Sequence, residues 1–180
     1  YDLNINMFNV LQHTITGWPG GKPNTDDSNR PERANPAKKR VVLFSPHPDD
    51  DVISMGGTFS KLIKQGHEVH VVYQTSGNIA VTDDEALKFA EVCNDFVGDD
   101  ESKINFQSAI DFLNNKTENQ VDSPEVRRLK GLIRRRESFA AVRYIGLKDE
   151  NTHFLDMPFY ETGQVKKNPI GEEDINLVMD

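Results

Sequence analysis

The 180-residue sequence has a single cysteine, Cys93, and no long apolar run. Because a disulfide needs two cysteines and a thiolate zinc cluster needs several, both are excluded within these residues. Cys93 falls on the apolar face of a predicted helix, where we expect a small buried side chain and not a nucleophile. The scarcity of cysteine makes the cytoplasm the expected compartment.

Basic residues are the minority among the charged ones. There are 21 Lys and Arg against 29 Asp and Glu, which gives a net charge of −8. Such a surface argues against nucleic acid or an anionic membrane as the main partner. No apolar stretch approaches the roughly 20 residues needed to cross a bilayer, and the N-terminus has no apolar signal region. We therefore expect no nucleic-acid and no membrane partner.

The first 39 residues lack sustained periodicity. Their density of Pro, Gly, Asn and Asp is typical of a linker or extended arm, so residues 1–39 are interpreted as an arm and 40–180 as the domain. His13 and Trp18 lie in the arm, and we interpret them as packing residues and not as catalytic ones. Because the chain opens with Tyr1 and ends inside an apparently helical pattern, we expect it to be a fragment that is truncated at the C-terminus.

From Arg40 onward the apolar pattern predicts an α/β domain. Residues 41–44 form a continuous apolar run, typical of a strand buried on both faces of a parallel sheet. Residues 51–65 have a helical period that Gly66 closes, and 67–73 read as a second strand. This strand–helix–strand unit predicts a Rossmann-like three-layer sandwich with a mostly parallel sheet.

The remaining segments alternate helical patterns with polar stretches. The first is a helix capped by Thr82, with an inward stripe of Ala86, Phe89, Ala90, Cys93 and Val97. An acidic insertion and candidate lid follows over 98–122, and then a helix runs from Ser123-Pro124 to about Tyr144 and is stopped by Gly146. A short strand is predicted over 153–156 and a last helix over 172–180.

The chemistry lies in Ser45-Pro46-His47-Pro48-Asp49-Asp50-Asp51, at the carboxyl end of the first strand, where open α/β sheets bind ligands. Imidazole and carboxylate are zinc ligands, so His47 and Asp50 are predicted to bind one ion. Asp49 lies between them and is predicted to be the general base. The alternative is a capped turn, since Asp is a common N-cap. A cap explains one carboxylate, but not three in a row.

The run His47-Pro48-Asp49-Asp50, followed by Met55-Gly56-Gly57-Thr58, resembles the motif of the PIG-L/LmbE family of zinc-dependent N-acetylglucosaminyl deacetylases. The resemblance implies that His47 and Asp50 are zinc ligands and Asp49 the general base, with Asp51 in place of the usual Glu. It covers about residues 40–160.

Two substrate contacts are also predicted. Arg134-Arg135-Arg136-Glu137 resembles the family's substrate helix, which implies that Arg134 contacts substrate. Asn78, in the loop after the second strand, is predicted to line the same pocket, and Glu161 is a weaker candidate.

The family's third zinc ligand is a downstream histidine. No histidine follows His153, so we expect the third ligand beyond Asp180 or an incomplete site. His67 and His70 are three apart on a strand and point to opposite faces, so they are interpreted as ordinary strand positions. His153 is interpreted as structural.

Trp18-Pro19-Gly20-Gly21, Arg30-Pro31-Glu32-Arg33 and residues 154–163 resemble the C-terminal part of bacterial glucosamine-6-phosphate deaminase-like fusion proteins. The expected function is zinc-dependent removal of an N-acetyl group from a small-molecule amino sugar of the N-acetylglucosamine type. An upstream deaminase domain is the expected partner in the same polypeptide. Two alternatives stay open: a deaminase whose active residues precede Tyr1, and a non-catalytic module that binds a sugar or a partner domain.

Overall fold

The computed structural model describes residues 1–12, 38–97 and 100–179, with the backbone alone over 8–12 and 100–105. In chain order its elements are α1 (Asp2–Gln12), β1 (Arg40–Ser45), α2 (Asp50–Lys64), β2 (Glu68–Tyr73), α3 (Asp83–Phe96), α4 (Asp100–Asn115), α5 (Pro124–Tyr144), β3 (Thr152–Phe154) and α6 (Glu172–Met179), with short 3-10 turns at Asn78–Ala80 and Asp149–Asn151.

The first eleven residues of the arm that follow Tyr1 form a helix, α1, which the sequence analysis did not predict. These residues contain no Pro or Gly, and the Pro- and Gly-rich composition that indicated a linker begins only at Gly17. Three predictions concern residues outside the described ranges. They are the packing roles of His13 and Trp18 and the resemblance at Arg30–Arg33.

The chain divides into two compact units. The first comprises the described residues of Tyr1–Ser45 with Asp49–Val72 and Ala141–His153. The second comprises the described residues of Pro46–Pro48, Tyr73–Ala140 and Phe154–Asp180. The candidate site residues are divided between the two units: Asp49 and Asp50 belong to the first, and His47, Asn78 and Arg134 to the second.

The first unit contains the sheet. Its strands are parallel and lie in the order β1-β2-β3, and α2 connects β1 to β2 and contacts β1. Helix α2 ends as predicted at Gly66, which has φ 72°. The Gly66 N–H donates to the Ile63 carbonyl (2.8 Å) and the His67 N–H to the Leu62 carbonyl (3.1 Å), which is a Schellman motif. The α/β class and its first strand–helix–strand unit are confirmed.

Strand β1 does not have the predicted burial. Leu43 and Ser45 are buried, whereas Val42 and Phe44 are 48% and 52% exposed. Successive side chains of a strand point to opposite faces, so the described residues cover only one face of β1. The prediction of a strand buried on both faces is therefore wrong for the described part of the chain.

The second unit has a helical core. Side chains from α3, α4 and α5 meet with one residue that precedes α3 in a single cluster, which consists of Val81, Ala86, Ala109, Leu113, Val126 and Ile133. Most of the segment expected to be an insertion forms helix α4, which packs on α3.

The predicted stripe of α3 holds for Ala86 and Ala90, which are fully buried, while Cys93 is partly buried. Phe89 is 46% exposed, which corrects its assignment to the stripe. At 100° per residue Phe89 lies roughly 60° from the centre of the stripe, at its margin.

The predicted helix starts are confirmed. The Thr82 hydroxyl accepts from the Glu85 N–H (3.2 Å) and the Ser123 hydroxyl from the Val126 N–H (3.3 Å), so each serine or threonine caps its helix. Within the described residues, no helix has the length and apolar character that a membrane crossing requires.

Candidate active site

The turn that leaves β1 is held by two buried residues of the first unit, Ser45 and Asp51. The Ser45 hydroxyl oxygen accepts a hydrogen bond from the Asp51 N–H (3.0 Å), and the hydroxyl lies 3.4 Å from the Asp51 carboxylate, to which it donates. Asp51 is the second residue of α2, and its N–H is one that an N-cap side chain normally satisfies. Ser45 therefore performs the capping from outside the helix.

Asp49 occupies the N-cap position of α2 without capping it. Its backbone has φ 147° and ψ −25°, and its side chain makes no capping hydrogen bond. Its carbonyl accepts from the N–H groups of Val52 and Ile53, both at 2.9 Å. A non-glycine residue in so sparsely populated a conformation costs about 1–3 kcal/mol, and such residues cluster at functional sites. The capped-turn alternative requires Asp49 to be the cap, and its side chain does not have that role.

The two carboxylates predicted to do chemistry differ in exposure. Asp49 is exposed, whereas Asp50, the first residue of α2, is half-buried. Asp49 is the N-cap residue of α2 and Asp50 its first residue, so both carboxylates lie at the helix end that carries a partial positive charge.

His47 lies in the second unit, against Tyr160. The imidazole meets the Tyr160 ring edge to face, with centroids 5.6 Å apart. Burial and the Glu161 carboxylate raise the pKa of Tyr160, while Arg134 acts in the opposite direction. The segment before His47 is fixed, because the Pro46 carbonyl accepts from the Thr75 hydroxyl at 2.7 Å and from the Thr75 N–H at 3.2 Å.

The predicted substrate residues Arg134 and Asn78 also lie in the second unit. Arg134 donates through its guanidinium to the Pro48 carbonyl and pairs with Glu137. Asn78 is fully buried, and its amide donates to the Glu161 carboxylate (2.9 Å). Glu161, the weakest candidate from the sequence, is thus a direct partner of Asn78.

A cavity of about 450 Å³ lies in the same unit. It is within the size range of small-molecule sites. Helix α5 contributes three arginines to its wall, and the lining residues are Ser76, Pro124, Arg127, Arg128, Gly131, Leu132, Arg135, Asp156 and Glu161. Glu161 belongs both to this wall and to the hydrogen bond with Asn78, so it connects the cavity to a predicted substrate residue.

A family model described as PIG-L, GlcNAc-PI de-N-acetylase, matches residues 42–178. The chain belongs to the PIG-L family. The resemblance seen in His47-Pro48-Asp49-Asp50 is thereby confirmed at the level of family.

Two curated relatives are similar to this member of the PIG-L family. The glucosamine-6-phosphate deaminase-like protein of Bacteroides thetaiotaomicron is 53% identical over 184 residues, covering 99% of this chain and 28% of that protein. The diacetylchitobiose deacetylase of Thermococcus kodakarensis is 43% identical over 47 residues, covering 26% of this chain and 18% of that protein. This chain therefore spans less than a third of the first relative. No solved structure gives a significant match.

Two of the predicted site residues carry donor groups of the types that zinc takes. His47 offers an imidazole and Asp50 a carboxylate, which are zinc ligands in hydrolytic sites. Over the described ranges, no group of three or more His, Cys, Asp or Glu side chains is arranged to hold a metal. The donor types therefore fit zinc, but only two of the usual three protein ligands are assigned, and a third ligand elsewhere remains a prediction.

The positions of Ser45 beside Asp51 and of Tyr160 beside His47 were not predicted from the sequence. Ser45 could have been recognised as a polar residue at the last, buried position of an apolar strand, where a hydroxyl needs a partner. Tyr160 offered no signal, since 113 positions separate it from His47 along the sequence.

Proposed function

We propose that the chain is a zinc-dependent hydrolase that removes the N-acetyl group from an N-acetylglucosamine-type amino sugar, and that it acts in the cytoplasm. Membership of the PIG-L family and the local similarity to a diacetylchitobiose deacetylase support hydrolysis of an N-acetyl amide. The zinc ion, the particular sugar and the compartment are the finer parts of the proposal.

The observation that carries the proposal is the strained backbone of Asp49. Since Ser45 satisfies the Asp51 N–H, the carboxylate of Asp49 is not needed to start α2. The fold nevertheless keeps an exposed aspartate in a costly conformation beside Asp50. A carboxylate held in this way at the carboxyl end of a strand suits a general base.

When bound by His47 and Asp50, zinc supplies a Lewis acid for the amide carbonyl and lowers the pKa of water. Asp49 accepts the proton of the attacking water as its oxygen bonds to the carbonyl carbon. As the C–N bond breaks, Asp49 returns that proton to the nitrogen, so the products are acetic acid and the amine, which exchange a proton to give acetate and the ammonium form.

Binding of the sugar is assigned to the second unit. Arg134 and Asn78 are the proposed substrate contacts, as the family resemblance and the loop position of Asn78 indicated. The cavity wall adds guanidinium groups and the Glu161 carboxylate, and all of these can form hydrogen bonds with sugar hydroxyls.

The test compares Asp49→Asn with Asp51→Asn. Acetate release from N-acetylglucosamine and from diacetylchitobiose is measured with zinc present, both in this chain and in a polypeptide extended past Asp180. Asp49→Asn should keep zinc and lose about 10²–10⁴ in turnover, as expected for loss of a general base. Asp51→Asn should mainly lower stability, because the Asp51 carboxylate is buried and accepts a hydrogen bond from the Ser45 hydroxyl. Undiminished turnover in Asp49→Asn would refute the assignment.

A second function rests on the 53% identical relative, which is named for deaminase-like chemistry and is more than three times as long as this chain. We propose that an upstream sugar-phosphate deaminase domain belongs to the same polypeptide, with this chain as its deacetylase or as a non-catalytic sugar-binding module. Deaminase assays on the longer polypeptide and on this chain test whether the deaminase activity resides outside this chain. Zinc content and the turnover of Asp49→Asn distinguish a deacetylase from a non-catalytic module, since a module has no turnover to lose.

A further inference from the structure

Two histidines on neighbouring strands of the first unit touch each other. His70 is on β2 and His153 on β3, and Nδ1 of His70 lies 3.0 Å from Nε2 of His153. The rings are stacked, with centroids 5.3 Å apart and planes inclined by 23°. The His70 side chain is 27% exposed and His153 is exposed, so solvent and ions reach both nitrogens.

The separation of the two nitrogens matches that of two ligands on one ion. Imidazole nitrogens lie about 2.0–2.1 Å from zinc, so two of them on one ion are about 2.9 Å apart at a right angle and about 3.4 Å apart at the tetrahedral angle. The 3.0 Å seen here falls inside that interval. No strand movement is needed to bring the pair to chelating distance.

The surroundings of His70 favour the tautomer that suits metal binding. Its Nε2 faces the Glu68 carboxylate at 3.5 Å, and Arg40 holds that carboxylate through a 2.9 Å ion pair. A carboxylate beside Nε2 fixes the proton there, which leaves the lone pair on Nδ1, the nitrogen that faces His153. Carboxylates orient ligating histidines in metal sites in this manner.

We propose that His70 and His153 form a site for a divalent transition-metal ion of the class that imidazole prefers, Zn²⁺, Ni²⁺ or Cu²⁺, with water completing the coordination. The site is separate from the His47 and Asp50 pair and does not depend on the proposed function. Glu68 is its positioning residue. Binding displaces the proton held between the two nitrogens, and His153 then carries its proton on Nδ1, so both imidazoles bind the ion in their neutral form.

The test uses the full 180-residue chain with His47→Ala and Asp50→Asn, so that the motif after β1 does not compete. Zn²⁺ affinity is measured by calorimetry, and nitrogen coupling in the Cu²⁺ paramagnetic resonance spectrum counts the bound imidazoles. The expected result is one ion per chain with two coupled nitrogens. His70→Gln and His153→Gln should each weaken binding at least about tenfold and remove one nitrogen, and Glu68→Gln should weaken it about tenfold with both nitrogens kept.

Circular dichroism checks that the variants fold, and Glu68→Gln changes affinity without removing either ligand. Unaltered Zn²⁺ affinity in both His70→Gln and His153→Gln, or a Cu²⁺ spectrum that keeps the same nitrogens in them, overturns the proposal and leaves a hydrogen-bonded imidazole pair only.

Discussion

Helix α5 presents cations to two different environments in the second unit. On one side Lys130 enters a network in which positive and negative groups are equal in number. On the other side Arg127, Arg128 and Arg135 line the 450 Å³ cavity. The comparison shows how one helix separates charges that hold the fold together from charges that remain available to a ligand.

In the network, each of two lysines contacts both of two aspartates. The Lys130 ammonium contacts Asp83 at 2.5 Å and Asp122 at 2.8 Å, and Lys116 contacts the same two carboxylates at 2.8 and 2.5 Å. The Lys130 side chain is only 5% exposed. Two ammonium groups bridging two carboxylates leave no excess charge, and the arrangement joins α3, α5 and the segment between α4 and α5.

The cavity side is not balanced in the same way. Arg127 donates to the Glu161 carbonyl (2.8 Å), and its buried Nε has no hydrogen-bond partner among the described residues. Arg135 pairs with Asp156 and lies over the Phe154 ring, 4.5 Å from its centroid. Arg128 is exposed and makes no ion pair within the described ranges. Hydrogen-bonding capacity therefore remains on this side for a ligand.

Removing the buried ammonium should have the largest effect. Lys130→Met keeps the aliphatic stem but leaves Asp83 and Asp122 to share one cation. Breaking a buried pair costs 3–5 kcal/mol, and we expect about 3 kcal/mol because Lys116 remains. Urea unfolding followed by circular dichroism gives the free energy of unfolding.

The matched control is Lys88→Met on α3, where the ion pair with Asp84 is exposed on both sides (2.5 Å). Exposed pairs contribute at most about 1 kcal/mol and helical i,i+4 pairs about 0.3–0.5 kcal/mol. Equal losses in the two variants would show that the network is no more than a surface feature.

This division of α5 was beyond the reach of the sequence. Nothing near Lys130 in the sequence shows that its counter-charge, Asp83, will lie 47 positions away. Caps and periodicity depend on neighbours within a few residues, so Thr82, Ser123 and Gly66 were predicted well. The pairing of Lys130 with Asp83 depends on tertiary folding.

In the candidate site, too, some features follow from neighbouring residues in the sequence and others depend on tertiary folding. His47, Asp49 and Asp50 were predicted as site residues because they lie within one short motif and because their residue types indicate the chemistry. The capping by Ser45 needs the geometry of the turn, and the contact of His70 with His153 needs the pairing of β2 with β3. Burial of β1 was overestimated, because a run of apolar residues does not reveal how many faces will be covered.

Arg128→Ala should separate the two sides of α5 by affecting binding and not stability. Since Arg128 is exposed, the free energy of unfolding should change by less than about 0.5 kcal/mol. Under the proposed function, a lost charge-assisted hydrogen bond to the sugar should weaken affinity about tenfold, since such bonds contribute about 1.5–3 kcal/mol. Calorimetry with N-acetylglucosamine measures the affinity. A destabilised variant with unchanged affinity would assign Arg128 to the structural side.

The smallest expected effect is a dependence of stability on pH that belongs to the network alone. Burial opposes ionisation of Asp83, but hydrogen bonds from Lys116 and Lys130 outweigh it and lower the pKa of Asp83 below 3.8. Burial likewise opposes the charge of Lys116, but hydrogen bonds from Asp122 and Asp83 outweigh it and raise the pKa of Lys116 above 10.5.

The two pKa shifts limit the stabilising effect of the network at opposite ends of the pH range. A carboxyl with a lowered pKa stabilises the fold above its unfolded value and loses that contribution as pH falls through the folded value. An ammonium with a raised pKa stabilises below 10.5 and loses its contribution as pH rises through the folded value. Unfolding free energies of wild type and Asp83→Asn should therefore converge below pH 3.8 and differ at neutral pH. Asp84→Asn, one position along α3 and outside the network, should differ from wild type only by the about 0.3–0.5 kcal/mol of its exposed pair with Lys88. A difference between wild type and Asp83→Asn that persists undiminished in acid would mean that the charge of Asp83 is not what the lysines stabilise.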